Sequence, residues 1–343
     1  MTKFGVARGA VFVALLVSFP FVVHAHWILN IAVFTLMFAG LASAWNLVGG
    51  YAGYPSLGHA AFFGAGAYVE AIWFHHHSIG SGYLPFIALP VVGLIVMVAS
   101  IPIAWVAMRT RADVFAIVTI TVLFMAQTLA FNLRSITGGS QGIGIHPPPF
   151  ALATFERPFY FAFASILIVA AGITFLTSRS KVGLSLLAVR SDEDKARGIG
   201  VHVTLAKLTG FSVSVWLTAM IGAVWAYYVS FVYPQFAVDP LITIAMVLMT
   251  FLGGRATLWG PILGAFILAP AQQYLAYTYG ASRLYLLAYA AVFLLIMLFL
   301  PRGIIPSIAD RRFARSRKTR LDVASTGTSG SPGPSQLEQP VAS

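Results

Sequence analysis

Ten apolar stretches follow one another between residues 9 and 300, near 9–23, 27–48, 56–74, 84–108, 114–132, 159–177, 206–232, 241–252, 258–279 and 284–300. Most approach the roughly 20 residues with which an α-helix crosses about 30 Å of hydrocarbon. No soluble core has room for so much apolar chain. Only 9% of the residues are charged, whereas a soluble domain carries about 25%, so the exterior must face lipid. Within lipid each backbone amide needs a partner inside its own span, and segments of this length meet that need as helices. The expected fold class is all-α: a polytopic integral membrane protein with about ten transmembrane helices. The 241–252 stretch is short enough to be a partial or re-entrant helix. Lys3 and Arg8 precede the first stretch as in a signal peptide, yet no small-residue cleavage site stands around His24 to His26. That stretch is read as an uncleaved anchor.

Basic residues orient the spans. With the N-terminus in the cytoplasm, 18 of the 21 Lys and Arg residues fall in inside segments, and only Arg134, Arg157 and Arg283 fall outside. This bias predicts an even number of spans with both termini cytoplasmic. It also explains the net charge of +11 without nucleic acid. Residues 1–301 then form the membrane domain, with 178–205 its largest internal loop and 133–158 a Gly- and Pro-rich external one. Residues 302–343 form a basic tail, low in complexity from Ser325 onward and expected to be disordered. Its Arg and Lys residues either touch anionic headgroups or are simply solvated.

Several chemistries lack the residues they need. There is no cysteine, and no Ser, His and Asp spacing suggests a catalytic set. A phosphate-cradling loop needs a Gly-Lys pair, but the five lysines follow Thr, Ser, Asp, Ala and Arg. Any ATPase must therefore be another polypeptide, and no cofactor is expected. His75, His76 and His77 are consecutive and cannot all face one metal, so no metal site is expected. Of the ten acidic residues only Glu70 lies within a span, about a turn from its outer end, where it is expected to snorkel to the interface. Ion coupling, which uses charges buried at mid-membrane, thus has little support.

Two segments carry information. In the internal loop, Arg190 to Gly200 (RSDEDKARGIG) reads as a charged helix of about two turns outside the bilayer. Ser191 is expected to cap it with Asp194 completing the box, and Asp192 and Glu193 complement its dipole. Gly198 and Gly200 supply stop signals. So short a helix is marginal alone and should be held by this chain or by a partner; a solvated connector is the alternative. The second segment, Asn46 to Tyr68, is rich in glycine, and Gly49, Gly50, Gly53 and Pro55 should break a helix there. It either borders a solute path or packs helices closely through small residues at 60/64 and 61/65. His59 is equally readable as a path residue or as a hydrogen-bonded structural histidine.

The second segment resembles the hallmark of LivM-type permeases of branched-chain amino acid ABC transporters, N-L-x-x-G-Y-A-G-Q-x-S-L-G-H-A-A-F-F-G-x-G-A-Y. Tyr54 stands where that family usually has Gln, and Pro55 where it has an aliphatic residue. Three more elements follow in order. Thr137 to Gly142 (TGGSQG) resembles the family's T-G-G-x-x-G. Arg190 to Gly200 resembles R-E-x-E-x-x-A-x-x-x-G, with Ser191 replacing the first Glu. Leu252 to Ala265 resembles L-G-G-x-G-[ST]-L-W-G-P-x-x-G-A, with Ala256 replacing Gly.

The resemblance implies an ABC importer permease fold and half of a translocation pore. Its implied partners are a second related permease, two ATP-binding cassette ATPase subunits and a periplasmic solute-binding protein. It further implies ATPase coupling through Arg190, Ser191, Asp192, Glu193, Asp194, Ala196 and Gly200. Asn46, Gly53, Ser56 and His59 are expected near the path, where the departures at Tyr54 and Pro55 bear on the solute. The competing class is an ion-coupled secondary transporter or channel acting alone.

Overall fold

A computed structural model describes residues 3–23, 25–77, 80, 82–279 and 303–307, with 291 and 294 as isolated positions. The described residues are helical nearly throughout. Its helices are α1 (Lys3–Val22), α2 (His26–Trp45), α3 (His59–His76), α4 (Leu84–Ala107), α5 (Ala112–Asn132), the single turn α6 (Arg134–Thr137), α7 (Glu156–Arg179), α8 (Lys181–Ser191), α9 (Glu193–Gly198), α10 (Val203–Val229), the turn α11 (Pro234–Ala237), α12 (Pro240–Gly253) and α13 (Gly260–Tyr279). Six stretches among the described residues are long and apolar enough to cross a membrane: His26–Ala52, Leu84–Ala107, Ala112–Asn132, Leu152–Arg179, Val203–Val229 and Pro234–Gly253. Helices α3 and α13 add 18 and 20 residues. The expected span at 284–300 and nearly all of the basic tail lie outside the described residues.

Local signals place the helix starts. Pro85 lies in the first turn of α4, where its missing amide proton costs nothing. The Asp239 carboxylate accepts from the Leu241 amide at 2.8 Å and caps α12, whose first residue is Pro240. The 241–252 stretch is indeed a short helix, of 14 residues.

Helices α2, α3 and α10 form the buried centre, while α4 and α5 are largely exposed on their outer faces. The α3–α10 crossing runs through glycine. A Cβ at Gly66 would overlap the Ala219 carbonyl, and one at Gly222 would overlap that of Phe63. Gly64, one of the small residues expected to mediate packing, instead faces Ala237 of α11. Lipid tails are as apolar as these side chains, so close backbone approach and dispersion carry the association. At the end of the bundle away from α9, strand β1 (Ile143–Gly144) pairs antiparallel with β2 (Phe231–Val232). There His75 donates to the Gly144 carbonyl at 2.8 Å and His77 to Trp73 at 2.8 Å.

Glu70 departs from its expected placement. It does not snorkel: the side chain is fully buried, and neither carboxyl oxygen has a hydrogen-bond partner among the described residues. Its helix is packed on the inner side of the bundle against α10, which closes the route to the interface.

Candidate functional site

The site begins where α2 loses its regular turn. Residues Asn46–Ala52 continue as a π-helix, which ends at Gly53 with φ +75°. Residues 53–58 are non-helical before α3 starts at His59. A broken helix buried in the bundle must find partners for its freed polar groups, and neighbouring elements supply them. Trp45 Nε1 donates to the Ser56 carbonyl at 2.8 Å, and the Leu57 amide donates to Thr119 Oγ1 at 3.0 Å. The Ala60 amide donates to Thr243 Oγ1 at 2.8 Å.

His59 completes the set. Ser214 Oγ donates to the Ala44 carbonyl at 2.7 Å, so toward His59 Nε2, 2.7 Å away, it can only accept. The proton is thus on Nε2, and Nδ1 accepts from Ser56 Oγ at 2.8 Å. Both ring nitrogens are used inside the chain. Asn46 is used likewise: its Nδ2 donates to the Thr257 carbonyl and its Oδ1 accepts the Ala256 amide, each at 2.9 Å. This pair ties the Asn46–Tyr68 segment to the Leu252–Ala265 segment. Ala256 has φ +56°, a region that favours glycine. The resembling pattern has glycine there, and the Asn46 bond holds the strained alanine in place.

The charged helix forms at the opposite side of the break, with one correction. Ser191 is the last residue of α8 rather than a cap. Asp192 caps α9, its Oδ1 accepting the Asp194 and Lys195 amides, both at 3.1 Å. The extended backbone of Asp192, φ −166° and ψ 113°, separates the two helices and so decides which residue can cap. The Lys195 backbone amide and ammonium hold the Asp192 carboxyl below its ordinary range. Gly200, with φ +87°, ends the element as expected.

Helix α9 has two faces. Ala196 is buried against the bundle, and Glu193 turns inward. The Tyr54 hydroxyl donates to Glu193 Oε2. The Lys207 ammonium, at the start of α10, lies 3.3 Å from Glu193 Oε1 and donates to Tyr54 Oη at 3.0 Å. Lys207 is 1% exposed and lies 4.2 Å from the Tyr54 ring centroid. Burial pushes the Glu193 carboxyl up, but the Tyr54 hydroxyl and the Lys207 and Arg197 charges outweigh it and leave the group below its usual range. Burial, then Glu193, push the Tyr54 phenol up, so it remains a donor. Arg190 also turns inward, donating to the Gly50 carbonyl at 2.9 Å. It packs so closely on Gly53 that a Cβ there would lie 2.7 Å from Arg190 Cγ. Asp194 and Lys195 point away, their side chains 75% and 86% exposed. A cleft of about 400 Å³ lies between residues 190–194 and Arg109, Arg111 and Asp113, and Arg111 Nη2 comes to 4.0 Å from Asp194 Oδ2 at its edge.

The structure thus brings Arg190 and Glu193 to the base of the broken segment, beside Gly53. It puts Asn46, Ser56 and His59 in the buried seam behind it. Lys207, Ser214, Thr119 and Thr243 were missed by the sequence reading. Lys207 carried a signal, a cation one residue inside an apolar stretch. A lone Ser or Thr in a span carries none.

A bundle of lipid-length helices with a charged helix braced at one end has the form of a membrane transport subunit. The chain belongs to the family of permease components of branched-chain amino acid transport systems, whose model matches residues 27–300. It is a transport component and not an enzyme. It is 27% identical over 319 residues to the high-affinity branched-chain amino acid transport system permease protein LivM of Salmonella typhimurium, covering 84% of this chain and 72% of that one. It is also 27% identical over 321 residues to LivM of Escherichia coli, covering 85% and 73%. No solved structure matches it significantly.

Proposed function

We propose that this chain forms half of the pore of an ATP-driven importer of branched-chain amino acids or related small polar solutes. Its setting is the bacterial inner membrane, with both termini cytoplasmic. Its partners are a second related permease, two ATP-binding cassette ATPases and a periplasmic solute-binding protein. The single observation carrying this reading is the two-faced α9. Its inner face is tied to both α10 and the broken segment, and its outer face offers charge to a partner.

A displacement of α9 by an ATPase reaches Lys207 and Tyr54 through Glu193 and, through the adjoining end of α8, reaches Gly50 and Gly53 by way of Arg190. Nucleotide state then biases the equilibrium between pore conformations through these contacts. Asp192 caps the helix, Ala196 seats it, and Gly200 turns the chain into α10. Asn46, Ser56 and His59 hold the broken segment in shape beside the path. Tyr54 acts in coupling rather than in solute choice.

Asp194 and Lys195 are the docking residues to test, because Glu193 is engaged internally. In the assembled transporter, Asp194→Lys combined with Lys195→Glu should cut solute uptake about tenfold or more while leaving the chain inserted, the loss expected when charges across an interface are reversed. Unchanged uptake would count decisively against the docking role.

Glu70 favours a second reading, ion coupling, since a buried carboxyl in a span is a common proton relay. The two readings part at Glu70→Gln. An ATP-driven permease should keep uptake within about twofold, whereas a proton-coupled carrier should lose it, because the amide cannot exchange a proton. Uptake into vesicles with and without a pH gradient decides between them.

A further inference from the structure

We propose that the groove between the first turns of α4 and α7 binds an anionic phospholipid, with the lipid phosphate on Arg157. The groove holds about 790 Å³ and lies at the end of the bundle away from α9. Its rim carries Arg157, Thr154 and the Tyr83 side chain, and Phe150 forms a wall. From the rim it follows one face of α7 through Phe161 to Ser165. Eight residues of helix descend about 12 Å, from headgroup depth into the acyl region.

Arg157 is the single charged residue among those lining the groove. Its Nε is buried with no hydrogen-bond partner among the described residues, and no ion pair is formed by it there. The adjacent Glu156 carboxylate turns instead toward His26 Nδ1, 3.1 Å away, and forms no ion pair with Arg157. The Phe21 ring, 6.0 Å from the guanidinium carbon, shields another side. The buried Nε is out of a ligand's reach, so the lipid phosphate would meet the terminal nitrogens of the planar guanidinium fork. One cation at the rim above an aromatic, apolar trough matches a phosphate with an acyl chain hanging below it. Free phosphate would leave the trough empty, and a zwitterionic lipid would bring a cation to the same rim. The site stands independently of the transport reading; only the leaflet, the outer one, rests on the proposed topology.

Native mass spectrometry of the full-length chain, released from vesicles of phosphatidylcholine with added phosphatidylglycerol, tests the site. The wild type should retain one phosphatidylglycerol per chain in preference to phosphatidylcholine. Arg157→Gln should lower that preference about fivefold, the effect of one basic residue at an anionic lipid surface. Arg157→Lys should keep most of it. Ser165→Trp, which blocks the trough and leaves the cation, should also reduce retention. Inorganic phosphate should not displace the lipid. Equal retention of the two lipids by the wild type, or displacement by inorganic phosphate, would overturn the assignment. So would the same preference in folded Arg157→Gln as in wild type.

Discussion

Substituting leucine for Gly66 should remove the folded protein from the membrane. At this position α3 and α10 touch backbone to backbone, and even a Cβ would overlap the Ala219 carbonyl. A flexible neighbour could rotate away, but a carbonyl inside a helix cannot. The helices must separate, and the crossing at Gly222 under Phe63 separates with them. Overpacking ordinarily costs about 1–3 kcal/mol. A backbone clash at two coupled contacts lies at or beyond the top of that range, against a total stability of roughly 5–15 kcal/mol. Gly66→Ala should already lower the melting temperature, and Gly66→Leu should leave only protease-sensitive chain. Gly172 in α7 is the control. Nothing lies within 4 Å of a Cβ built there, so Gly172→Ala should be neutral or stabilising by up to about 1 kcal/mol. Equal melting temperatures for Gly66→Leu and wild type would show that the crossing is not as described.

The second large effect concerns Glu193. Replacing it with leucine leaves the Lys207 ammonium buried with only the Tyr54 oxygen near it. Removing one partner from a buried ion pair costs about 3–5 kcal/mol. Because Tyr54 remains and the Glu193 side chain is 19% exposed, about 2–3 kcal/mol is the appropriate expectation here. Combining Glu193→Leu with Lys207→Met should recover most of the stability, since no charge is then stranded. Uptake by the assembled transporter should stay low in both variants while ATP hydrolysis continues. Thermal melts and uptake together separate the two roles. A stable double variant with wild-type uptake would make the pair a structural tie only.

The sequence reading and the structure diverge in instructive places. The broken helix after Asn46 was legible because Gly53 and Pro55 are backbone signals, felt within a few residues. The α9 helix was legible for the same reason, although its cap moved from Ser191 to Asp192. Two residues of similar capping ability stand side by side, and the end of α8 chooses between them. Glu70 was misplaced because its distance along the helix says nothing about which side of α3 faces the bundle. Tyr54 departs from the family pattern, but its partners lie 139 and 153 positions away.

The amino-acid sequence by itself determined that the chain lives in lipid as a set of helices. That outcome follows from hydropathy and from the need to satisfy each amide within its own span. It also determined where a helix breaks and where a short charged helix forms. Only the tertiary structure decided that Asn46 and His59 are braces and that Glu193 faces inward onto Lys207. Those outcomes depend on how helices far apart in the chain rotate and cross. Close contacts between glycines and carbonyls govern that arrangement, and no local pattern encodes them.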